Sequence, residues 1–410
     1  MIGVDTTCDV VVVGAGPAGT AAAITLVRAG YDAVVADKAS FPRDKCCGDG
    51  LTTLALRELD RLGFDHGTVA DWFVVDGALL RAPSGREVTV PLPRDAGTFA
   101  AVAPRRQLDH ALLRQAEREG VRVLTGLSFT GLREVVDGVS VRLTGEHGPA
   151  TITARFVIAA DGMWSPVRKA LGLTPPGYLG EWHAFRQYVR NVEGTAAERL
   201  IVWFDEDVLP GYLWSFPLPD GRANIGFGVV RDGNRHGKDM KAQWDGLLDR
   251  PHVRAAIGPR AEWEGGSQAW PIPARIDQAP LGSGRVLLTG DAAMATDVLT
   301  GEGIGQALLT GRLAAEAVRA HGTSDPARVL TSYRDHVLGE LRADHRASAR
   351  LGRVLAHRRG ADGAIAVLDH AGNWGRRNFA RWMFEDEPRA IALTPGRWHR
   401  RFFRRAGVRS

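Results

Sequence analysis

Three glycines near the start of the chain have the spacing of a dinucleotide-binding turn. Gly14, Gly16 and Gly19 follow an apolar run and form the pattern G-x-G-x-x-G. The first glycine permits a tight turn, the second lets the backbone approach a pyrophosphate, and the third lets a helix pack closely on a strand, with its N-terminus facing the phosphate charge. Asp37, which ends the next apolar run, is placed as a carboxylate that binds a ribose. These residues predict a site for NAD or FAD.

Three later motifs follow the glycines in order. Arg105 to Asp109 opens a predicted helix, and Ala160 to Gly162 follows a predicted strand. Gly290 to Ala293 follows another strand, and Thr300 to Ile304 then begins a helix. In this order the motifs resemble the FAD-binding set of the p-hydroxybenzoate hydroxylase-like flavoproteins, from residue 10 to about 320. FAD is therefore the expected cofactor.

The resemblance also implies a role for each motif. Asp291 would bind the ribityl chain, Arg105 would contact the linker of the cofactor, and the amides of Gly303 and Ile304 would face the isoalloxazine ring. A helix N-terminus at that place would stabilise the negative charge of reduced flavin. The candidate cofactor-binding residues are Gly14, Gly16, Ala18, Gly19, Asp37, Lys38, Cys47, Gly48, Arg105, Asp161, Gly290, Asp291, Gly303 and Ile304.

Two further segments indicate the subfamily. Phe41 to Leu51 resembles the Lys-x-Cys-Gly-Asp-Gly-Leu element of the geranylgeranyl reductase family, and Pro210 to Pro217 is similar to its P-x-x-Y-x-W-x-F-P pattern with one residue fewer after the first Pro. Actinobacterial menaquinone reductases of this family resemble the chain in both segments. One departure is Asp297-Val298, where many members have Asn-Pro. The resemblance implies an FAD-dependent reductase that saturates carbon-carbon double bonds of an isoprenoid chain, of the menaquinone or geranylgeranyl lipid type.

Cys47, Tyr212 and Trp214 are the candidate catalytic residues. Saturating an alkene needs a hydride, a proton and an apolar wall that holds the chain against the flavin. Tyr212, Trp214 and Phe216 alternate, so in a strand they share one face; an aromatic core stripe has the same pattern. We expect Cys47 to be an exposed thiol whose pKa is lowered by its cationic neighbours, and to donate a proton or contact the flavin. The alternative for Cys47 is a small residue at a tight turn.

Other functions are compatible with the same fold. The main alternative is a flavin-dependent monooxygenase or a halogenase-like tailoring enzyme, although residues 46 to 168 lack the lysine that such halogenases use. A quinone-linked electron-transfer flavoprotein would carry a four-cysteine cluster, which three cysteines cannot supply. A flavin-binding sensor without catalytic turnover is the remaining non-enzyme alternative. Because no second dinucleotide fingerprint is present, NAD(P)H or another reductant is expected to bind transiently.

The elements that would position these residues begin with a strand, a helix and a second strand. This order favours an α/β fold with a Rossmann-like FAD-binding domain. Two stretches that alternate apolar and polar residues predict an inserted antiparallel β-sheet substrate domain, and the end of the chain is predicted to be helical. The predicted division is 1–71, 104–178 and 276–325 for the FAD-binding domain, 72–103 and 179–275 for the substrate domain, and 326–410 for a C-terminal helical, basic-aromatic region.

The net charge of +5 is concentrated near the end of the chain. Residues 339–410 hold 16 Arg against seven Asp and Glu. Two basic-aromatic stretches, Trp374 to Phe384 and Arg397 to Arg405 with Trp398 and Phe402, suit helices lying in a membrane interface, although ordinary packed helices fit them too. We therefore expect a cytoplasmic protein with peripheral contact to the inner face of the cell membrane, and no nucleic-acid partner because no recognised binding module accompanies the charge.

Composition excludes several other classes. With 44% hydrophobic and 24% charged residues the chain is neither disordered nor fibrous. No run reaches the roughly 18 apolar residues of a membrane span, and no signal peptide is recognised. Three cysteines cannot form a disulfide framework, and the 12 histidines form no ligand-spaced cluster, so no metal site is predicted.

Overall fold

The computed structural model describes residues 5–93, 97–231, 237–390 and 407–408. Its strands are β1 (Asp5–Val13), β2 (Ala33–Asp37), β3 (Gly50–Leu51), β4 (Phe73–Val74), β5 (Gly77–Arg81), β6 (Glu87–Pro91), β7 (Ala101–Val102), β8 (Arg122–Thr125), β9 (Ser128–Val135), β10 (Gly138–Gly145), β11 (Gly148–Ala159), β12 (Trp182–Arg190), β13 (Leu200–Trp203), β14 (Tyr212–Leu218), β15 (Arg222–Val230), β16 (Glu262–Ile272), β17 (Gly282–Ser283) and β18 (Val286–Leu288). Its helices are α1 (Pro17–Arg28), α2 (Thr53–Arg61), α3 (Arg105–Arg118), α4 (Pro166–Ala170), α5 (Thr195–Glu198), α6 (Gly237–Leu248), α7 (Pro251–Ile257), α8 (Ile304–His321), α9 (Pro326–Leu355), α10 (Arg358–His370) and α11 (Gly372–Met383).

An eight-stranded sheet carries the glycine turn. Its main path is β17-β18-β11-β1-β2-β8, in which β18, β11, β1, β2 and β8 pair in parallel, while β9 and β10 extend β11 antiparallel. Val10 to Val13 of β1 are buried, as expected of a parallel strand covered on both faces. Small residues let α1 and α8 pack closely, since a Cβ added at Gly311 would lie 2.0 Å from the Ala18 carbonyl oxygen.

A seven-stranded sheet forms the second layer. Its order is β16-β12-β15-β14-β13-β5-β6, and its strands are antiparallel except for the parallel pair of β13 with β5. Helix α6 packs on one face, where Trp244 stacks on Phe227 with ring centroids 5.8 Å apart. The predicted fold class, an α/β protein with a Rossmann-like part, an antiparallel sheet and C-terminal helices, is confirmed.

The seven-stranded sheet takes strands from two separate stretches of the chain. Strands β5 and β6 fall within residues 72–103, and β12 to β16 fall within 179–275. Strand β7 instead pairs with β3 and β4 in a small three-stranded sheet, which joins residues 101–102 to residues 50–51. The division of the chain into domains itself stays a prediction.

The C-terminal helices pack on both parts of the fold. Helix α9 begins after Asp325, whose side chain accepts a hydrogen bond from the Arg328 amide at 3.0 Å, and its buried Val329, Tyr333 and Val337 join the core of the eight-stranded sheet. Helices α10 and α11 contact β6, and Ile365 and Leu368 of α10 form a cluster with Phe384 and with residues of β5 and β6. The last two helices therefore extend the core of the seven-stranded sheet.

One face of the stretch Trp374 to Phe384, which we expected at a membrane interface, lines the main cavity of the protein. Phe379, Trp382 and Met383 of α11 contribute to this lining, whereas Trp374 of the same helix is 72% exposed. Packing on the cluster beside β6 covers part of the apolar face, and a membrane contact of this stretch stays a prediction. The second stretch, Arg397 to Arg405, lies outside the described residues. In the described ranges, every helix is too short or too polar to span a bilayer.

Candidate functional site

One cavity of about 910 Å³ lies between the two large sheets and the C-terminal helices. It runs from the glycine turn after β1 to the aromatic side chains of β14. The predicted residues that line it are Gly14, Gly16, Ala18, Asp37, Lys38, Cys47, Gly48, Arg105, Asp161, Tyr212, Trp214, Gly290, Asp291, Gly303 and Ile304. The structure thus brings residues from six separate motifs to one place.

The glycine turn has the close approaches that its pattern requires. Gly14 has φ +106°, and a Cβ there would lie 2.2 Å from the Ala160 carbonyl oxygen. Gly19 lies outside the cavity lining, and a Cβ on it would meet the Gly14 carbonyl oxygen at 1.8 Å, so its role is helix packing. Asp37 accepts a hydrogen bond from the Ala15 amide at 2.7 Å, which fixes its carboxylate beside the turn. The first part of the cavity therefore has the form of a dinucleotide cradle.

Two arginines flank this cradle, and only one of them was predicted. Arg105, at the start of α3, forms a two-point ion pair with buried Asp109 at 2.7 and 2.8 Å. Burial opposes its charge, but Asp109 raises the pKa of Arg105 overall, so the guanidinium stays cationic. Arg43 lies 2.9 Å from the same Asp109 and within 3.6 Å of a Cβ position on Gly16. Two guanidinium groups that Asp109 fixes beside a glycine turn suit the phosphates of a dinucleotide.

Asp161 and Arg168 join two motifs through the protein rather than through a ligand. The Asp161 carboxylate accepts hydrogen bonds from the Ser165 hydroxyl at 2.6 Å and the Val167 amide at 3.0 Å. Arg168 donates to the carbonyls of Met163 at 2.7 Å and Ala292 at 2.9 Å. The bond from Arg168 to Ala292 connects the Asp161 turn to the Gly290 segment. It thereby holds Asp291 at the cavity.

The N-terminus of α8 differs from its expected use. The Ile304 amide, expected to face the isoalloxazine ring, donates to Glu302 Oε1 at 2.9 Å, and the Gly305 amide donates to the same oxygen at 3.1 Å. Glu302 itself lines the cavity. The helix end is therefore already paired with the carboxyl group of Glu302. Glu302 was not among the predicted site residues.

A buried charge cluster supports this end of the cavity. Arg389 lies 3.1 Å from Asp297 and 3.7 Å from Glu385, and Asp297 also accepts hydrogen bonds from the Thr300 amide and the Ser348 hydroxyl. Burial alone would raise the pKa of Asp297, but Arg389 and these donors hold it below its usual value. Burial raises the pKa values of Glu302 and Glu385, and a nearby carboxylate adds to each effect, Glu385 for Glu302 and Asp297 for Glu385. The unusual Asp297 is thus the partner of a C-terminal arginine.

Cys47 lines the cavity in a turn (residues 46–50), named here the cysteine turn. The prediction of a lowered thiol pKa is wrong, because burial raises the pKa of Cys47 to about 12. The charges next to it in sequence are used elsewhere: Arg43 pairs with Asp109, Asp44 pairs with Arg186 at 2.6 Å, and Lys45 lies over the Trp270 ring at 3.6 Å. The Cys47 thiol therefore keeps its proton at neutral pH.

Tyr212, Trp214 and Phe216 share one face of β14 and all line the cavity. Their neighbouring ring centroids are 6.0 Å apart, and the Tyr212 hydroxyl donates to the Thr300 carbonyl. Strand β15 makes room for them, because a Cβ on Gly226 would lie 2.2 Å from the Trp214 ring. The aromatic residues therefore form a wall of the cavity rather than a stripe inside the core.

The cavity continues past the aromatic wall into an aliphatic end. Side chains from the seven-stranded sheet and from α9 to α11 line this end, including those of Leu80, Val202, Leu355, Ile365 and Met383. Apolar contact of this kind suits a long hydrocarbon more than a polar ligand. The site joins a dinucleotide cradle to an aliphatic pocket in one continuous space.

This combination of fold and cradle defines an FAD-binding flavoprotein. The FAD binding domain family matches residues 7–334 of the chain. The residues described above fit that cofactor, since the cradle offers a glycine turn, two cations and the carboxylates of Asp37 and Asp291. FAD is the cofactor of this protein.

Comparison with known proteins narrows the class. The chain is 37% identical over 332 residues to a menaquinone reductase of Mycobacterium tuberculosis, covering 76% of this chain and 77% of that protein. It is 32% identical over 339 residues to digeranylgeranylglycerophospholipid reductase 2 of Methanopyrus kandleri, covering 80% and 81%. The fold is similar to that of a geranylgeranyl bacteriochlorophyll reductase-like protein from Thermoplasma acidophilum, with a TM-score of 0.78, 21% identity, and 96% and 99% of the two chains covered. The chain belongs to the geranylgeranyl reductase family of FAD-dependent oxidoreductases.

Proposed function

We propose that this protein is an FAD-dependent reductase that saturates carbon-carbon double bonds of an isoprenoid chain, of the menaquinone or geranylgeranyl lipid type. The observation that carries the proposal is the single cavity in which an aromatic wall and an aliphatic pocket follow directly on the FAD cradle. A polyprenyl chain matches the apolar character of that pocket. The names of the two relatives support the same class of substrate.

We assign the cofactor to the cradle residues. Asp37 is proposed to bind the ribose, Arg105 and Arg43 the phosphate linker, and Asp291 the ribityl chain. Reduced FAD supplies the hydride for alkene reduction. The remaining proposed FAD contacts are Gly14, Gly16, Ala18, Lys38, Gly48, Asp161, Gly290 and Gly303.

Cys47 is the proposed proton donor. Its raised pKa means that the thiol carries a proton at neutral pH, and its place on the cavity wall puts that proton beside the substrate pocket. Tyr212 and Trp214 are proposed to hold the chain against the flavin, because neighbouring aromatic rings present a broad apolar surface. The reductant, NAD(P)H or another donor, is proposed to act transiently.

A membrane contact would give the enzyme access to a lipid-borne substrate. We propose this contact in the segment Arg397 to Arg405, where five Arg accompany Trp398 and Phe402 at helical spacing. Removing residues 396–410 should lower binding to anionic liposomes, and added salt should weaken binding of the intact chain. A short, water-dispersed prenyl substrate should still be reduced. Loss of FAD or unfolding on truncation would instead identify the segment as a packing element.

The test of function is a single-turnover assay. The purified flavoprotein is reduced anaerobically and mixed with menaquinone or with a geranylgeranyl lipid, and products are analysed by mass spectrometry. We expect reoxidation of the flavin together with products heavier by two hydrogens for each bond reduced. Steady release of hydrogen peroxide in air with hydroxylation of an aromatic substrate, and no reduced prenyl product, would support the monooxygenase alternative instead.

A further inference from the structure

Asn224 is a fully buried polar residue in the middle of β15, on the face that looks toward the cavity. It lies opposite Phe216 of β14 and Tyr188 of β12 in the sheet register. A buried side-chain amide is costly unless its donors and acceptors are bonded. The partners of its hydrogen bonds therefore show which parts of the site Asn224 connects.

The Asn224 amide bonds to three parts of the proposed site. Its Nδ2 donates to the Cys47 carbonyl oxygen at 2.8 Å and to Asp49 Oδ2 at 2.8 Å, and its Oδ1 accepts from Trp214 Nε1 at 3.2 Å. Both amide protons and one oxygen lone pair are thus used. Because the Trp214 nitrogen only donates and the other two atoms accept, the amide can satisfy all three bonds in one orientation alone.

The cysteine turn lies directly on the aromatic wall at this point. A Cβ on Gly48 would come within 3.4 Å of the Trp214 ring, and one on Gly50 within 2.9 Å of the Phe216 ring. Asp49 of the same turn accepts a further hydrogen bond from the Tyr188 hydroxyl at 2.6 Å. The turn and the wall are therefore in contact, and Asn224 is bonded to both.

We infer that Asn224 is a positioning residue that joins the Cys47 turn to Trp214 and so sets the spacing between the proton donor and the wall that holds the substrate. This inference rests on the proposed function for its effect on turnover. Its effect on Cys47 does not depend on the substrate. An Asn at this place is invisible to motif analysis, because its three partners lie on residues 47, 49 and 214.

The experiment compares Asn224→Asp and Asn224→Ala with the wild-type chain, all loaded with FAD. Asp has the shape of Asn but presents oxygens to the Cys47 carbonyl and the Asp49 carboxylate, so the turn should be released. We expect alkylation of Cys47 by iodoacetamide, followed by mass spectrometry, to become about tenfold faster, the factor for one lost hydrogen bond. The flavin absorption spectrum should shift as the wall beside it moves.

A pH series separates positioning from simple destabilisation. The groups that face this point are Asp49 and Cys47 of the turn, Tyr188 and Arg186 of β12, Arg105 of α3, and Glu302 just before α8. Burial raises the pKa of Asp49 to about 6. At acidic pH one carboxyl group of the pair, Asp49 or the aspartate introduced at position 224, carries a proton and can donate a hydrogen bond to the other. The ratio of the Asn224→Asp alkylation rate to the wild-type rate at the same pH should therefore fall toward one near pH 5, whereas the ratio for Asn224→Ala should stay raised.

Gln187→Ala is the matched control. Gln187 is buried in β12 and donates to the Gly265 carbonyl oxygen at 2.6 Å, away from the cysteine turn. Unchanged Cys47 alkylation in both Asn224 variants, or an increase no larger than that of Gln187→Ala, would overturn the inference. Should Asn224→Ala fail to fold, Asn224→Asp and Trp214→Phe, which removes the indole donor together with part of the ring, give the same readout. A wild-type chain that reduces no prenyl lipid would refute the proposed function while leaving the alkylation result intact.

Discussion

Arg389→Met tests whether the buried charge cluster holds the flavin end of the cavity together. The Arg389 side chain is 3% exposed, and its partners Asp297 and Glu385 are 6% and 12% exposed. Met keeps most of the aliphatic volume and removes the charge, so the change is mainly electrostatic. After the substitution Asp297 stays buried and keeps its hydrogen-bond donors, but it no longer has a cation beside it.

The expected cost is that of breaking a buried ion pair, about 3–5 kcal/mol in the free energy of unfolding. We expect the lower end, about 3 kcal/mol, because Glu385 has a raised pKa and takes up a proton to relieve part of the excess charge. Asp297→Asn should cost less, about 1–2 kcal/mol, since Arg389 keeps Glu385 and the amide still accepts from Thr300. The double variant should be more stable than the sum of the two losses predicts.

Urea unfolding at saturating FAD, followed by tryptophan fluorescence, measures these differences. The folded pKa of Asp297 is lowered, so the stabilisation by Arg389 is present above the unfolded pKa of about 4 and is lost as the pH falls through the folded value. The cost of Arg389→Met should therefore be full at pH 7 and shrink below about pH 4. A loss under about 1 kcal/mol at pH 7, or additive losses in the double variant, would refute this account of the cluster.

Two further predictions concern the cofactor and the proton. Asp291→Ala should weaken FAD retention by about tenfold or more, because the ribityl hydroxyls lose a carboxylate acceptor. Equilibrium dialysis of the variant measures this loss, and a variant that keeps full flavin occupancy would count against the role of Asp291. Cys47→Ala should keep FAD and thermal stability but lose turnover, whereas Cys46→Ala should keep most of its rate. Equal single-turnover rates in the two cysteine variants and the wild type would leave Cys47 as a turn residue only.

Features encoded in a few consecutive residues could be predicted from the sequence. The glycine turn, Asp37 and Asp291 each lie at the end of a buried strand, and local backbone geometry alone brings them to one edge of a parallel sheet. The alternation of Tyr212 and Trp214 likewise predicts a shared face, which the structure places on the cavity.

Features that depend on contacts between distant residues could not be predicted. Arg389 finds Asp297 only because the segment after α11 packs against the loop before α8. Asn224 acquires its role from the register of β15 with β14. The apolar face of α11 was assigned to lipid because periodicity shows that a face must be covered and does not show what covers it.

The position of α9, α10 and α11 in the chain has a consequence for how the enzyme is made. These helices close the aliphatic end of the cavity, yet the ribosome releases them after every strand of the two large sheets. The cradle for FAD can therefore form while the hydrocarbon pocket still lacks its cover. A nascent chain halted at this stage would expose a wide apolar surface, a ready target for chaperones, and only the arrival of the last helices turns that surface into the wall of a cavity.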